Sequence, residues 1–140
     1  MRKPKLYLAG PIADCTDEEC TIWRKLVTEE LSNLYDISDP FLRGDYRDNI
    51  DNRHDAEIVE GDKKEIEDSD VILVNWWKIS IGTSMEVLYA WELGKVIVTV
   101  TTSKHPWLCY HSHLLFDNMN LAIETIKEMQ PEILREKGEN

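Results

Sequence analysis

Val71-Ile72-Leu73-Val74-Asn75 and Val96-Ile97-Val98-Thr99-Val100 flank a loop over residues 76–82 and a helical stretch over 83–93, and this segment decides the fold. Neither apolar run alternates with polar residues, which is the pattern of strands covered on both faces. Two such strands joined through a helix are parallel, because a hairpin needs no helix between its strands. Gly94 stands where a C′ glycine ends a helix. Within the segment, Ser80-Ile81-Gly82-Thr83-Ser84-Met85-Glu86 sets a carboxylate in the first helical turn after a strand. That is the carboxyl edge of the sheet, where open α/β folds bind ligands.

Upstream, Lys5-Leu6-Tyr7-Leu8-Ala9 is a short apolar strand ended by the turn signal Gly10-Pro11. Thr16 begins a helix, with Glu19 three residues later completing a capping box. Ile22, Trp23, Leu26, Val27, Leu31 and Leu34 continue it at helical spacing. A weak second strand lies near Tyr35-Asp36-Ile37-Ser38. Residues 39–54 are polar and long for a connector, so they read as a functional lid or a partly disordered segment. A helix covers Asp55–Glu67. Downstream of the decisive segment, Leu114-Leu115-Phe116 is a last short strand, and Asn120 caps an amphipathic helix carrying Leu121, Ala122, Ile126 and Met129. The charged tail over 131–140 reads as frayed.

Strands alternating with helices give a single α/β domain over 1–140, doubly wound, with about five parallel strands and helices on both faces. In the common flavodoxin-like strand order the first and third strands are neighbours at the switch point. The loops after them bring Tyr7, Gly10 and Pro11 towards Asn75, Trp76, Trp77, Ser80 and Gly82.

The composition narrows the class. A 42% hydrophobic, 31% charged chain of 140 residues reads as a soluble globular domain. No run reaches the roughly 18 apolar residues of a membrane span, and Met1-Arg2-Lys3-Pro4 leads straight into a strand without a signal-peptide core, so the expected location is cytoplasmic. A net charge of −11 disfavours polymeric nucleic acid but leaves a nucleoside or nucleotide monomer open. Walker A and G-x-G-x-x-G patterns are missing. Cys15, Cys20 and Cys109 lack zinc spacing and read as reduced thiols, and the His111/His113 pair lacks a third ligand, so no metal is expected.

Two carboxylates stand out by position. Asp62 lies four residues after Ile58 and four before Ile66, on the apolar stripe of its helix with Val59. An unpaired carboxylate buried there costs several kcal/mol. It therefore sits solvated at the stripe's edge, has a partner, or faces a pocket. Glu86 also has two readings. Thr83-x-x-Glu86 is a capping box. Alternatively, the apolar residues Met85, Val87, Leu88, Ala90, Trp91 and Leu93 around it make a dry cleft that raises its pKa or sharpens its nucleophilicity. The tandem Trp76-Trp77 suits either a flat base or sugar face or subunit packing.

Four segments together resemble the nucleoside 2-deoxyribosyltransferase family, including its nucleotide N-glycosidase relatives. They are Leu6-Tyr7-Leu8-Ala9-Gly10-Pro11-Ile12, Asp62 with Ile66-Glu67-Asp68-Ser69-Asp70-Val71, Gly82-Thr83-Ser84-Met85-Glu86-Val87-Leu88-Tyr89-Ala90, and Gly94-Lys95 before a strand. The resemblance spans roughly residues 5–100 and implies a flavodoxin-like, usually oligomeric enzyme that cleaves nucleoside N-glycosidic bonds without metal or organic cofactor. It implies that Glu86 is the nucleophile forming a covalent glycosyl-enzyme intermediate, that Tyr7 positions Glu86, and that Asp62 handles the base or its proton. It places Gly10, Pro11, Ile12, Asn75, Trp76, Ser80, Gly82 and Thr83 around the substrate. Family transferases commonly carry an aspartate six residues before the nucleophile, against the sugar 5′-hydroxyl. Ser80 stands there instead, similar to relatives that hydrolyse nucleoside 5′-monophosphates, since a hydroxyl can donate to phosphate. In the family a neighbouring subunit completes the site with a polar side chain, for which His111 and Ser112 are the candidates here. A homo-oligomer, dimer or higher, with shared active sites is the implied assembly.

Overall fold

The computed structural model describes residues 2–136. Five parallel strands form one sheet: β1 (Lys5–Ala9), β2 (Asp36–Ser38), β3 (Val71–Asn75), β4 (Val96–Val100) and β5 (Leu114–Phe116), in the order β2-β1-β3-β4-β5. This is the flavodoxin-like order, with the chain turning from one half of the sheet to the other between β1 and β3. Six helices complete it: α1 (Asp17–Leu31), α2 (Pro40–Arg43), α3 (Asp55–Glu67), α4 (Ile81–Glu92), α5 (Pro106–Tyr110) and α6 (Met119–Glu136).

The period-2 alternation of the strands divides the core. Leu6, Leu8, Val71, Leu73, Val98 and Val100 point to the face packed by α1 and α6. Tyr7, Ala9, Ile72, Val74 and Ile97 point to the face of α3 and α4, against Ile66, Val87 and Ala90. Tyr7 is the polar exception on that second face. Its ring is fully buried, so its hydroxyl requires a partner inside the fold.

Thr16 and Glu19 form the expected capping box, and Gly94 takes a left-handed φ of 74° at the end of α4, which glycine adopts freely. Other expectations need correction. The segment over 39–54 is ordered rather than partly disordered, held at several points. Asp39 caps α2 and holds the buried Arg24, and Arg47 bonds Asp17 and the Cys15 carbonyl. Asn49 bridges to Asp55 and the His54 amide. The buried stripe of α3 is narrower than its periodicity suggests: Ile66 is buried, whereas Val59 is 47% exposed. The last helix is capped by Asn118, whose Oδ1 accepts from the amides of Asn120 and Leu121. It continues past Pro131 to Glu136, because Ile133 extends the stripe of Ile126 into the core beneath α1. Of the tail read as frayed, residues 137–140 lie outside the described residues. The three cysteines are unpaired. Among the described residues no helix is long and apolar enough to cross a membrane.

Candidate active site

The site forms at the carboxyl ends of β1 and β3, where their loops come together. Gly10 permits that approach: a Cβ there would lie 2.7 Å from the Trp23 ring and 3.3 Å from the Asn75 carbonyl oxygen. Beneath the loop, the fully buried Arg24 donates to the carbonyls of Leu8 (3.1 Å) and Gly10 (3.1 Å) and to Asp39 (3.0 Å). It fixes the chain as it leaves β1. Pro11 is buried and Ile12 half-buried, with the Ile12 carbonyl accepting from the Cys15 amide at 3.2 Å.

Glu86 enters from α4, one turn later than its sequence suggests. Ser80, not Thr83, is the N-cap: its hydroxyl accepts from the Thr83 amide (3.2 Å) and contacts the Thr83 hydroxyl (2.9 Å). The helix therefore starts at Ile81, Thr83 is buried inside it, and Glu86 sits in the second turn with no capping role. Freed from the helix end, its carboxylate reaches across to β1, where the Tyr7 hydroxyl donates a short hydrogen bond to Oε2. Asp62 approaches from α3, and the two carboxyl groups are hydrogen-bonded to each other. Three elements thus deliver Tyr7, Glu86 and Asp62 to one point.

Their electrostatics follow from that crowding. Burial, reinforced by the negative charge of Asp62, pushes the Glu86 carboxyl up to about 8 against the opposing pull of the Tyr7 hydrogen bond and Arg24. Burial also raises Asp62, while an ion pair with Arg43 (2.5 Å) works in the other direction. The Tyr7 phenol is pushed well above its ordinary value by burial and then by the Glu86 charge, so it remains a hydrogen-bond donor. Two adjacent carboxyls of this kind hold one proton between them near neutral pH. The pair can supply an acid and a nucleophile together.

A cleft of about 520 Å³ lies on the other flank of α4, walled by Trp76, Ile79, Ile81, Met85, Trp107 and His111. Ser80 stands on its rim. Trp76 is half-buried and donates its amide to the Val100 carbonyl (2.9 Å), whereas Trp77 is exposed under the Lys78 ammonium. Gly82 is exposed in the first turn of α4, with open space where a Cβ would stand. Asn75 ends β3 half-buried, beside Gly10. His111 stacks on Trp107 and donates from Nδ1 to its carbonyl (2.7 Å). Ser112 bonds the Leu108 carbonyl and Thr99 hydroxyl, both at 2.7 Å, tying α5 to β4. Within one chain, neither His111 nor Ser112 joins the carboxyl pair.

Two arginines escaped the sequence reading. Arg24 carried a signal, since it follows Cys20 by four and precedes Val27 by three on the buried stripe of α1. Arg43 carried none, because its partners Asp62 and Glu65 lie on another helix. Among the described residues no cluster of three or more His, Cys, Asp or Glu could hold a metal ion.

Residues 6–120 match the family model described as nucleoside 2-deoxyribosyltransferase. No curated protein matches the chain. Among solved structures, a 2-deoxyribosyltransferase from Bacillus psychrosaccharolyticus is similar at a TM-score of 0.67 and 18% identity, over 85% of this chain and 90% of that one. One from Leishmania mexicana follows at 0.65 and 20%, over 89% and 97%. A CMP N-glycosidase from Clostridium botulinum is similar at 0.60 and 13%, over 88% and 97%. At these identities the structural likeness carries the fold.

Proposed function

We propose, because the chain belongs to the nucleoside 2-deoxyribosyltransferase family, that it cleaves the N-glycosidic bond of (2′-deoxy)nucleosides and transfers the 2-deoxyribosyl group to another base. The observation that carries this reading is the convergence of Tyr7, Glu86 and Asp62. Glu86 attacks the anomeric carbon as the bond to the base nitrogen breaks. The proton shared by the pair passes through Asp62 to the departing base. This leaves Glu86 as an ester on the sugar and Tyr7 holding its other oxygen. An incoming base, or water, then gives its proton to Asp62 as it attacks the same carbon and releases Glu86, which restores the shared proton and retains the anomeric configuration. The residues do this by position and proton storage alone; no step calls for a metal or organic cofactor. Gly10, Pro11, Ile12, Asn75, Gly82 and Thr83 shape the mouth beside the carboxyls.

A second reading is hydrolysis of nucleoside 5′-monophosphates to free base and sugar 5-phosphate. Ser80 favours it, because no carboxylate stands at that position to repel a phosphate. Its hydroxyl is engaged in capping α4, so its contribution is chiefly the missing charge. A non-catalytic nucleotide-binding domain would need no nucleophile beside a proton-sharing partner. Chromatography of products from deoxynucleosides and their 5′-monophosphates, with and without a second free base, separates the three. A new nucleoside formed only with the acceptor base is the expected result. Free base formed mainly from monophosphates would select the hydrolase, and no product from any substrate would leave the binding domain.

The site is completed in a homo-oligomer. Ile79, Ile81, Met85, Trp107 and Tyr110 are each 67% or more exposed along α4, the loop that enters it and α5, a concentration of apolar surface suited to a second copy. His111 stands within that surface and can reach a neighbour's substrate. Sedimentation is expected to give at least twice the mass of one chain, and a monomer for Trp107→Asp. A wild-type monomer at micromolar concentration would remove the shared-site arrangement.

A further inference from the structure

Arg43 lies across α3 although it belongs to α2, and its guanidinium is engaged from several directions. One nitrogen donates to Asp62 Oδ1 at 2.5 Å and to the Ile58 carbonyl at 3.3 Å, and the other pairs with Glu65 Oε2. The second Glu65 oxygen accepts from the Ser38 hydroxyl at 2.6 Å, which anchors the pair to the end of β2. Gly61 supplies the room: a Cβ there would lie 2.7 Å from the guanidinium carbon. Arg43 is thus seated in a slot built from a glycine, a backbone carbonyl and two carboxylates. The slot opens at the carboxyl pair.

We propose that Arg43 is a positioning residue for this pair: it holds Asp62 in one orientation, ionised and open to the proton carried by Glu86. The inference rests on the glycosyl-transfer reading above. The charged and titratable groups facing Asp62 are Arg43 from α2, Arg24 from α1, Glu86 from α4 and Tyr7 from β1, with Glu65 next to it on α3. Burial disfavours an ionised Asp62, whereas the hydrogen bond from Glu86 and the charge of Arg24 favour it. The contact with Arg43, whose other nitrogen is held by Glu65, is the strongest of the influences that oppose burial. Without it Asp62 retains a proton of its own, and the relay from Glu86 to the leaving base is blocked at its middle member. The same contact makes the segment over 39–54 part of the site, since α2 brings the arginine.

The test compares wild type with Arg43→Gln, Arg43→Lys and Gly61→Ala, reading kcat and KM against pH and the Asp62 carboxyl titration by carbon-13 NMR. In Arg43→Gln the Asp62 midpoint is expected to rise by about 1–3 pH units. Base release should fall about tenfold to a hundredfold in kcat, with KM little changed, as for an impaired proton transfer. Arg43→Lys should restore the midpoint better than kcat, because an ammonium keeps the charge but not the fork. Gly61→Ala favours the helix, yet should displace the guanidinium and reproduce the Arg43→Gln profile in a protein that melts no lower than wild type. It also decides the matter should Arg43→Gln not fold. An unmoved Asp62 midpoint overturns the inference. So does a moved midpoint with unchanged kcat and pH profile. A wild type that releases no base from any substrate defeats the glycosyl-transfer reading instead, while the NMR midpoint still decides whether Arg43 controls Asp62.

Discussion

Glu86→Gln is expected to lower base release by about a thousandfold or more while leaving the fold intact. The amide keeps the shape of the side chain and can still accept from the Tyr7 hydroxyl, but it cannot form the bond to the anomeric carbon. Stability separates this outcome from a general collapse. Ser80 starts α4, so no cap is lost with Glu86. The carboxyl of Glu86 is raised to about 8 in the fold, above its ordinary value of 4.5. Between those two values the folded chain holds a proton that the unfolded chain has released, so stability falls as pH rises through this window. Glutamine carries no such proton. The variant should therefore lack this alkaline loss and melt at or above wild type near pH 9, the reverse of what a structural carboxylate would show. Product chromatography and thermal unfolding across pH 5–9 read both halves. A Glu86→Gln protein within tenfold of wild-type activity would dismiss Glu86 as the nucleophile.

The second large effect is at Asp62. Asp62→Asn removes the proton relay to the leaving base, and kcat should drop by about 10²–10⁴-fold, the usual weight of general acid–base catalysis. The drop should depend on the substrate. A base that leaves readily as an anion needs less help from an acid, so such nucleosides should lose least. The pH profile should move as well. The charge of Asp62 raises the Glu86 carboxyl, and neutral asparagine relieves that repulsion. Glu86 then ionises at lower pH, and the limb of the rate profile that follows it shifts towards acid. An equal loss for all leaving groups, with an unmoved limb, would make Asp62 a packing residue.

These effects depend on neighbours that a linear reading treats unequally. The central strands β3 and β4 declare themselves by apolar runs rich in β-branched residues, and the ends of α1 and α4 by Thr16 with Glu19 and by Gly94. Local chemistry settles such features. The start of α4 is a near miss of the same kind. Ser80 and Thr83 are both good cap residues three apart, and the earlier hydroxyl captures the later amide, which moves Glu86 from the first turn to the second. That shift changes the meaning of the glutamate from a helix cap to a group presented to β1.

Sequence alone determined the order of the five strands and the four long helices, the α/β class and the anomaly of Asp62 on an apolar stripe. Those follow from periodicity and capping, which operate over a few residues. Tertiary structure decided which groups meet Glu86 and what they do to its proton. Tyr7 faces α4 because of strand pleat, Asp62 reaches Glu86 because α3 and α4 share one face of the sheet, and Arg43 arrives from a segment that reads as a lid or a partly disordered connector. Burial and charge coupling are properties of distances in space, and no spacing along the chain encodes them.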